Sequence, residues 1–109
     1  MNVSPTSPSP AAVRTLGPLT IDPNTHDVRL HRLPVALSPK EYDLLTLLAA
    51  EPGTVVDRRR ILDRVWGPGF AGPGKTLDFH VASLRRKLGD SARIENRRGV
   101  GFRLLVGSD

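Results

Sequence analysis

Ten prolines and ten glycines are spread through a chain of only 109 residues, and they cut it into pieces too short for long helices or wide sheets. Proline fixes φ and removes a backbone donor, whereas glycine loses the most conformational freedom on ordering, so regular elements must lie between these residues. The punctuation predicts one small domain of short strands and helices, for which 39% hydrophobic residues can supply a core. Residues 1–13 carry no charge and are mostly Ser, Pro, Thr and Ala. That composition reads as a disordered tail or linker and leaves residues 14–106 for the folded domain.

Local patterns then place the elements. Leu19/Ile21, Val28/Leu30 and Val35/Leu37 each set two apolar residues at period two, with Asp22-Pro23-Asn24-Thr25 and Arg32-Leu33-Pro34 between them. Three short antiparallel strands are expected. Ser38-Pro39-Lys40-Glu41 is a helix start, because Ser38 can cap, Pro39 fits the first helical position and Glu41 can close a capping box. Leu37 and Tyr42 are spaced as a hydrophobic staple, and Leu44, Leu45, Leu47 and Leu48 make an apolar face that ends at Glu51-Pro52-Gly53. Thr54-Val55-Val56 reads as an extended link. Asp57 reads as the cap of a second helix that carries Arg58, Arg59, Arg60 and Arg64, with Trp66 as the aromatic centre of the core.

Six of the eight residues from Gly67 to Gly74 are Gly or Pro, which makes this segment a loop. Lys75 to Leu88 follows, stopped by Gly89. At about 100° per residue, Leu77, Val81, Leu84 and Leu88 fall on one face and Lys75, Phe79, Ala82, Ser83 and Arg86 on the opposite arc. One face is built to pack and the other to meet a partner. Arg93–Arg97 and Phe102–Leu105 then form a hairpin through Arg98-Gly99-Val100-Gly101, with Val106–Asp109 as a tail.

Charge indicates the partner. Residues 14–56 hold four basic and five acidic side chains, whereas residues 57–109 hold twelve basic and six acidic. Thirteen of the sixteen basic residues are Arg, whose planar fork suits bidentate contact with phosphate or guanine. Solubility alone would explain an excess of positive charge but not its confinement to one half. Residues 75–103, the last helix and the hairpin, hold eight basic and three acidic residues. A helix matches the width of the DNA major groove, and an arginine on a glycine-tipped hairpin can enter the adjacent minor groove. RNA is served less well, since its major groove excludes a helix and a chain with 5% aromatics lacks stacking platforms.

Other chemistries find no support. The absence of Cys removes disulfides, thiolate metal sites and thiol nucleophiles. His26, His31 and His80 have no metal-ligand spacing, so neither a metal nor a cofactor is expected. Nothing in the chain argues for an enzyme. No apolar run approaches the ~18 residues of a spanning helix, and Met1-Asn2-Val3-Ser4-Pro5 lacks the features of a signal peptide. A cytoplasmic protein without a membrane partner is expected.

Four stretches together carry a family resemblance: LSPKEYDLL at 37–45, VVDRRRILDRVWG at 55–67, KTLDFHVASLRRKLG at 75–89 and RRGVGFRL at 97–104. In this order and spacing they resemble the winged helix-turn-helix output domain of OmpR/PhoB-type response regulators. The resemblance implies an α+β fold with an N-terminal antiparallel sheet, three helices and a C-terminal β-hairpin wing. It further implies sequence-specific binding of double-stranded DNA, with residues 75–88 as recognition helix and 97–102 as wing. On that assignment Phe79 meets a thymine methyl, Ala82 and Ser83 lie at base edges, and Lys75, Thr76, Arg86 and Lys87 hold phosphates. Asn96 stands where the family commonly has a phosphate-binding Thr, Arg97 opens the wing, and Arg98 resembles the wing-tip arginine of the minor groove. Family members often carry Arg at the positions of Ala82 and Ser83, and Phe102 replaces a Tyr. RNA polymerase contact through the 67–74 loop and a homodimer on tandem half-sites are family expectations, although the loop has no acidic residue here. The alternative is a winged-helix module used for protein–protein contact, or a regulatory appendage of a larger enzyme; loss of the basic helix face would favour it, and this sequence retains that face.

Overall fold

A computed structural model describes residues 12–107. The tail expected over 1–13 therefore lies outside the described residues except for its last two positions. The chain begins with a four-stranded antiparallel meander, β1 (Arg14–Leu16), β2 (Leu19–Asp22), β3 (Asp27–Leu30) and β4 (Leu33–Pro34), in the order β1-β2-β3-β4. Leu19, Ile21 and Val28 point inward, as their period-two spacing requires.

Two features of this sheet differ from the expectation of three strands. Arg14–Leu16 is an additional strand, joined to β2 through Gly17, whose φ of 58° supplies the turn. The third expected strand is displaced: the turn after β3 is His31-Arg32, with φ of 51° and 70°, so Leu33–Pro34 pairs with Arg29 and Leu30. Pro34 is tolerated there because β4 is an edge. Val35 and Leu37 pack partly buried against the core without joining the ladder beyond the Val35 N–H bond to the Val28 carbonyl at 2.8 Å.

Helix α1 (Pro39–Ala49) has the expected capping box: Ser38 Oγ accepts from the Glu41 N–H at 3.2 Å, and Glu41 Oε1 accepts from the Ser38 N–H at 2.8 Å. The sequence then runs through β5 (Val56–Asp57) into α2 (Arg58–Val65), where Asp57 Oδ2 accepts from the Arg60 N–H at 3.1 Å. α3 (Lys75–Leu88) buries Leu77, Val81, Leu84 and Leu88 and ends at Gly89, whose φ is 68°. β6 (Ala92–Arg97) and β7 (Gly101–Val106) close the chain as a hairpin. Val106 thus belongs to a strand and not to the tail expected over 106–109, and the link expected at 54–56 contributes a strand that makes the second sheet β5-β7-β6.

α1 packs on α2, α3 and β7, with Leu44, Leu45 and Leu48 fully buried. The largest fully buried side chain is Phe102, on β7. Trp66 is not the core's aromatic centre: it caps α2, lies only half-buried, and meets Phe70 at a tilt and His80 edgewise, at ring-centroid distances of 6.0 and 5.0 Å.

The join between β5 and β7 depends on a missing side chain. A Cβ on Gly101 would lie 1.8 Å from the Val56 carbonyl oxygen, whereas one on Gly99, with φ 76°, would meet nothing within 4 Å. Gly101→Ala should therefore cost about 2–4 kcal/mol by forcing the strands apart. Gly99→Ala should cost about 1 kcal/mol through its backbone conformation alone. Urea denaturation of both variants checks the order, and equal losses would contradict the close approach.

Candidate nucleic-acid interface

The outward arc of α3 carries Lys75, Phe79, Ala82 and Arg86, all exposed, with Thr76 half-buried at its start. Arg97 and Arg98 are exposed at the mouth and tip of the β6–β7 hairpin, and Asn96 is exposed on β6 just before it. The turn closes through the Val100 N–H to the Arg97 carbonyl at 2.9 Å. These expected positions thus lie on two neighbouring elements, and Arg85 ties them together by donating from Nε to the Ile94 carbonyl at 2.9 Å.

Ser83 and Lys87 are placed differently from the rest. Both turn toward Glu41, which is only 4% exposed at the start of α1. The Ser83 hydroxyl donates to Glu41 Oε2, and Lys87 Nζ donates to Oε1 at 2.7 Å. Burial pushes the Glu41 carboxyl up, but hydrogen bonds from Lys87, Ser83 and the Ser38 N–H outweigh it and hold its pKa at about 2. Ser83 has committed its only donor proton, and Lys87 keeps two of three donors on a side chain that is 35% exposed. The sequence signalled the capping role of Glu41 but not this second one, which depends on a contact 42 to 46 residues away.

Arg58 is the other residue that sequence reasoning missed. Its N–H donates to the Val100 carbonyl at 3.1 Å, and its guanidinium reaches Asp78 Oδ1 at 2.9 Å and the Gly74 carbonyl at 3.2 Å. The same guanidinium lies 5.7 Å from the centroid of the Phe102 ring. Arg58 therefore links the hairpin turn through its backbone, and the first turn of α3 and the core through its side chain. It also occupies the one acidic group on α3, where Asp78 suits the positive end of the helix dipole.

The remaining cations divide by task. Arg14 donates to the Ala49 carbonyl at 2.8 Å and Lys40 to the Val65 carbonyl at 2.8 Å, so each caps a helix end. Arg59 pairs with Asp63 and donates to the Phe70 carbonyl, which pins the 67–74 loop. Arg103 holds Glu95 through Nε at 2.6 Å; that bond keeps the Glu95 carboxyl below its usual range, and Arg97 and Arg93 add to the effect. By contrast, Arg60, Arg64, Lys75, Arg86 and Arg98 make no ion pair or side-chain hydrogen bond among the described residues. His80 donates from Nδ1 to the Thr76 carbonyl, 2.8 Å away, and packs on Trp66. Among the described residues no group of three or more His, Asp or Glu could hold a metal ion, and no helix is long and apolar enough to cross a membrane.

Comparison with known proteins bears on this surface. A family profile described as "Transcriptional regulatory protein, C terminal" matches residues 32–104. The chain is similar to the transcriptional regulatory protein CseB of Streptomyces avermitilis, 44% identical over 92 residues that cover 84% of this chain and 39% of the relative. The chain thus spans about two-fifths of the length of the curated relatives it matches. Among solved structures, the Klebsiella pneumoniae RstA DNA-binding domain in complex with the RstA box superposes with a TM-score of 0.78 at 33% identity, covering 87% of this chain and 98% of that one. The DNA-binding domain of response regulator AdeR, in complex with an intercistronic region, gives 0.76 at 28% identity, covering 86% of this chain and all of that one.

The low pKa of Glu41 has a definite consequence in acid. Its value falls from an ordinary 4.5 to about 2 on folding, so its stabilisation is complete above pH 4.5 and is lost as pH drops toward 2. That contribution is about 3 kcal/mol at neutral pH. Glu41→Gln should lower stability by about 2–3 kcal/mol at pH 7 and flatten the loss between pH 4.5 and 2. Chemical denaturation across that range decides it, and an unchanged acid limb would mean that another carboxylate governs it.

Proposed function

Because this chain belongs to the family of OmpR/PhoB-type transcriptional regulatory C-terminal domains, we propose that residues 14–106 act as one winged-helix domain that binds double-stranded DNA sequence-specifically. The observation that carries this reading is the division of the cations. The paired cations are spent on carboxylates and helix ends, while on the two basic elements Lys75 and Arg86 of α3 and Arg98 of the wing stay exposed without an acidic partner.

α3 enters the major groove, with Lys75, Thr76, Arg86 and the two free donors of Lys87 on phosphates, which fix register without reading sequence. Ala82 leaves room for close approach to the base edges. Ser83, its proton given to Glu41, offers only an acceptor there. The wing lies against the next minor groove. Asn96 and Arg97 meet the backbone, and Arg98 enters the groove where its narrowing concentrates negative potential. Two copies occupy tandem half-sites, and the 67–74 loop, held by Arg59, faces RNA polymerase. The domain's role is binding and not catalysis, and it works in the cytoplasm, where bacterial DNA is found.

Selection of bound sequences from a random DNA pool tests this reading. A defined site should emerge with a preference over random DNA of about 10³ or more, and recovery of no preferred sequence would sink it. Arg86→Ala should weaken binding alike on all sequences and reduce the slope of log K against log salt by about 1. Arg98→Ala should instead cost about 1–3 kcal/mol on the selected site and relax the preference where the minor groove is narrow. Equal loss on every DNA would make Arg98 a phosphate contact.

A further inference from the structure

Phe79 is 71% exposed, more than any other large hydrophobic side chain among the described residues. It stands in the middle of the outward arc of α3, with Lys75 one turn before it and Ala82 and Arg86 one and two turns after it. A lone surface phenylalanine means little by itself. Its setting says more, because the residues beside it in the middle of the arc offer no free hydrogen-bond donor. Asp78 accepts from Arg58, Ala82 has no polar side-chain atom, and the Ser83 hydroxyl donates to Glu41. The free cations, Lys75 and Arg86, lie at the two ends of the arc.

The middle of the arc holds no donor fork for guanine, which presents only acceptors in the major groove. The thymine 5-methyl group is the one apolar feature on the major-groove edge of a base pair. We infer that Phe79 is the specificity-determining residue of the helix and that it reads thymine methyl groups. Contact between methyl and ring removes both from water, and Ala82 beside the ring leaves the space for it. This inference rests on the DNA-binding reading above.

The test separates the two. A site selected from the random pool is resynthesised with each thymine of the half-site replaced in turn by uracil, which removes the methyl and preserves pairing and every donor and acceptor. Affinity is then measured by fluorescence anisotropy for the 109-residue chain and for Phe79→Ala. At least one uracil should weaken binding of the unsubstituted chain about four-fold, the equivalent of ~0.8 kcal/mol for one buried methyl, and should leave Phe79→Ala unaffected. Equal affinity for thymine and uracil at every position overturns the inference while the DNA reading stands. The same penalty in Phe79→Ala gives the methyl to another side chain and also overturns it. If no sequence is selected at all, the DNA reading itself fails, before uracil is introduced. Self-association lost in Phe79→Ala, without any difference between thymine and uracil, would mark Phe79 as a protein contact and overturn the inference. Because the ring is exposed, its removal opens no cavity, and an unchanged melting temperature verifies that the variant folds.

Discussion

The buried carboxylate of Glu41 is the interaction on which the arrangement of this domain depends. A carboxylate removed from water is costly unless its oxygens are hydrogen-bonded, and here they accept from three sources in two elements: the Ser38 N–H at the head of α1, and Ser83 and Lys87 on α3. The capping box fixes where α1 begins. The two bonds from α3 fix the rotation of that helix about its axis, because Ser83 and Lys87 lie one turn apart on the same side. Apolar packing of Leu77, Val81, Leu84 and Leu88 would tolerate a small roll, since hydrophobic burial is not directional. A charge-assisted hydrogen bond tolerates much less. Which residues face outward is therefore set by a polar contact on the inner edge of the helix.

Arg58 does for the hairpin what Glu41 does for the helix. Through Val100 it holds the turn, through Asp78 and Gly74 it holds the start of α3, and its guanidinium rests over Phe102 in the core. The distance from helix to wing tip is thereby referred to one residue, backbone and side chain together, and to the Gly101–Val56 approach beneath it. A partner contacted by both elements at once must match that fixed separation.

Much of the fold was legible from local pattern. Ser38-Pro39-Lys40-Glu41, the apolar stripe from Leu77 to Leu88 and the glycine-tipped hairpin each involve residues within a few positions of one another, and each forms where its chemistry indicates. What the sequence concealed is of two kinds. The β3–β4 turn places His31 and Arg32 at positive φ, a conformation usually signalled by Gly, Asn or Asp, so the turn was read one residue late. The other omissions are long-range. Val56–Asp57 becomes a strand only because β7 lies beside it, Phe102 displaces Trp66 as the central aromatic, and Glu41 and Arg58 acquire partners far away in the chain. For the interface, helical periodicity was enough to find Lys75, Phe79, Ala82 and Arg86. It could not show that Ser83 and Lys87, on the border of the same arc, turn inward.

That inward turn changes how affinity and selectivity are divided on the proposed DNA complex. Phosphate contacts by Lys75, Arg86 and Lys87 release counterions, so their contribution falls steeply as salt rises. An apolar contact between Phe79 and a methyl group displaces no counterion and is nearly indifferent to salt. With Ser83 occupied by Glu41 and Ala82 inert, little of the helix's discrimination rests on charged donors. Raising the salt concentration should then lower affinity for all DNA in parallel while the ratio between thymine-containing and uracil-containing sites stays constant. A reader based on an arginine fork would lose part of its discrimination together with its affinity, because one charged group would serve both. Titrations of the two sites at several salt concentrations distinguish these cases, and a ratio that falls with salt would place the discrimination on the cations.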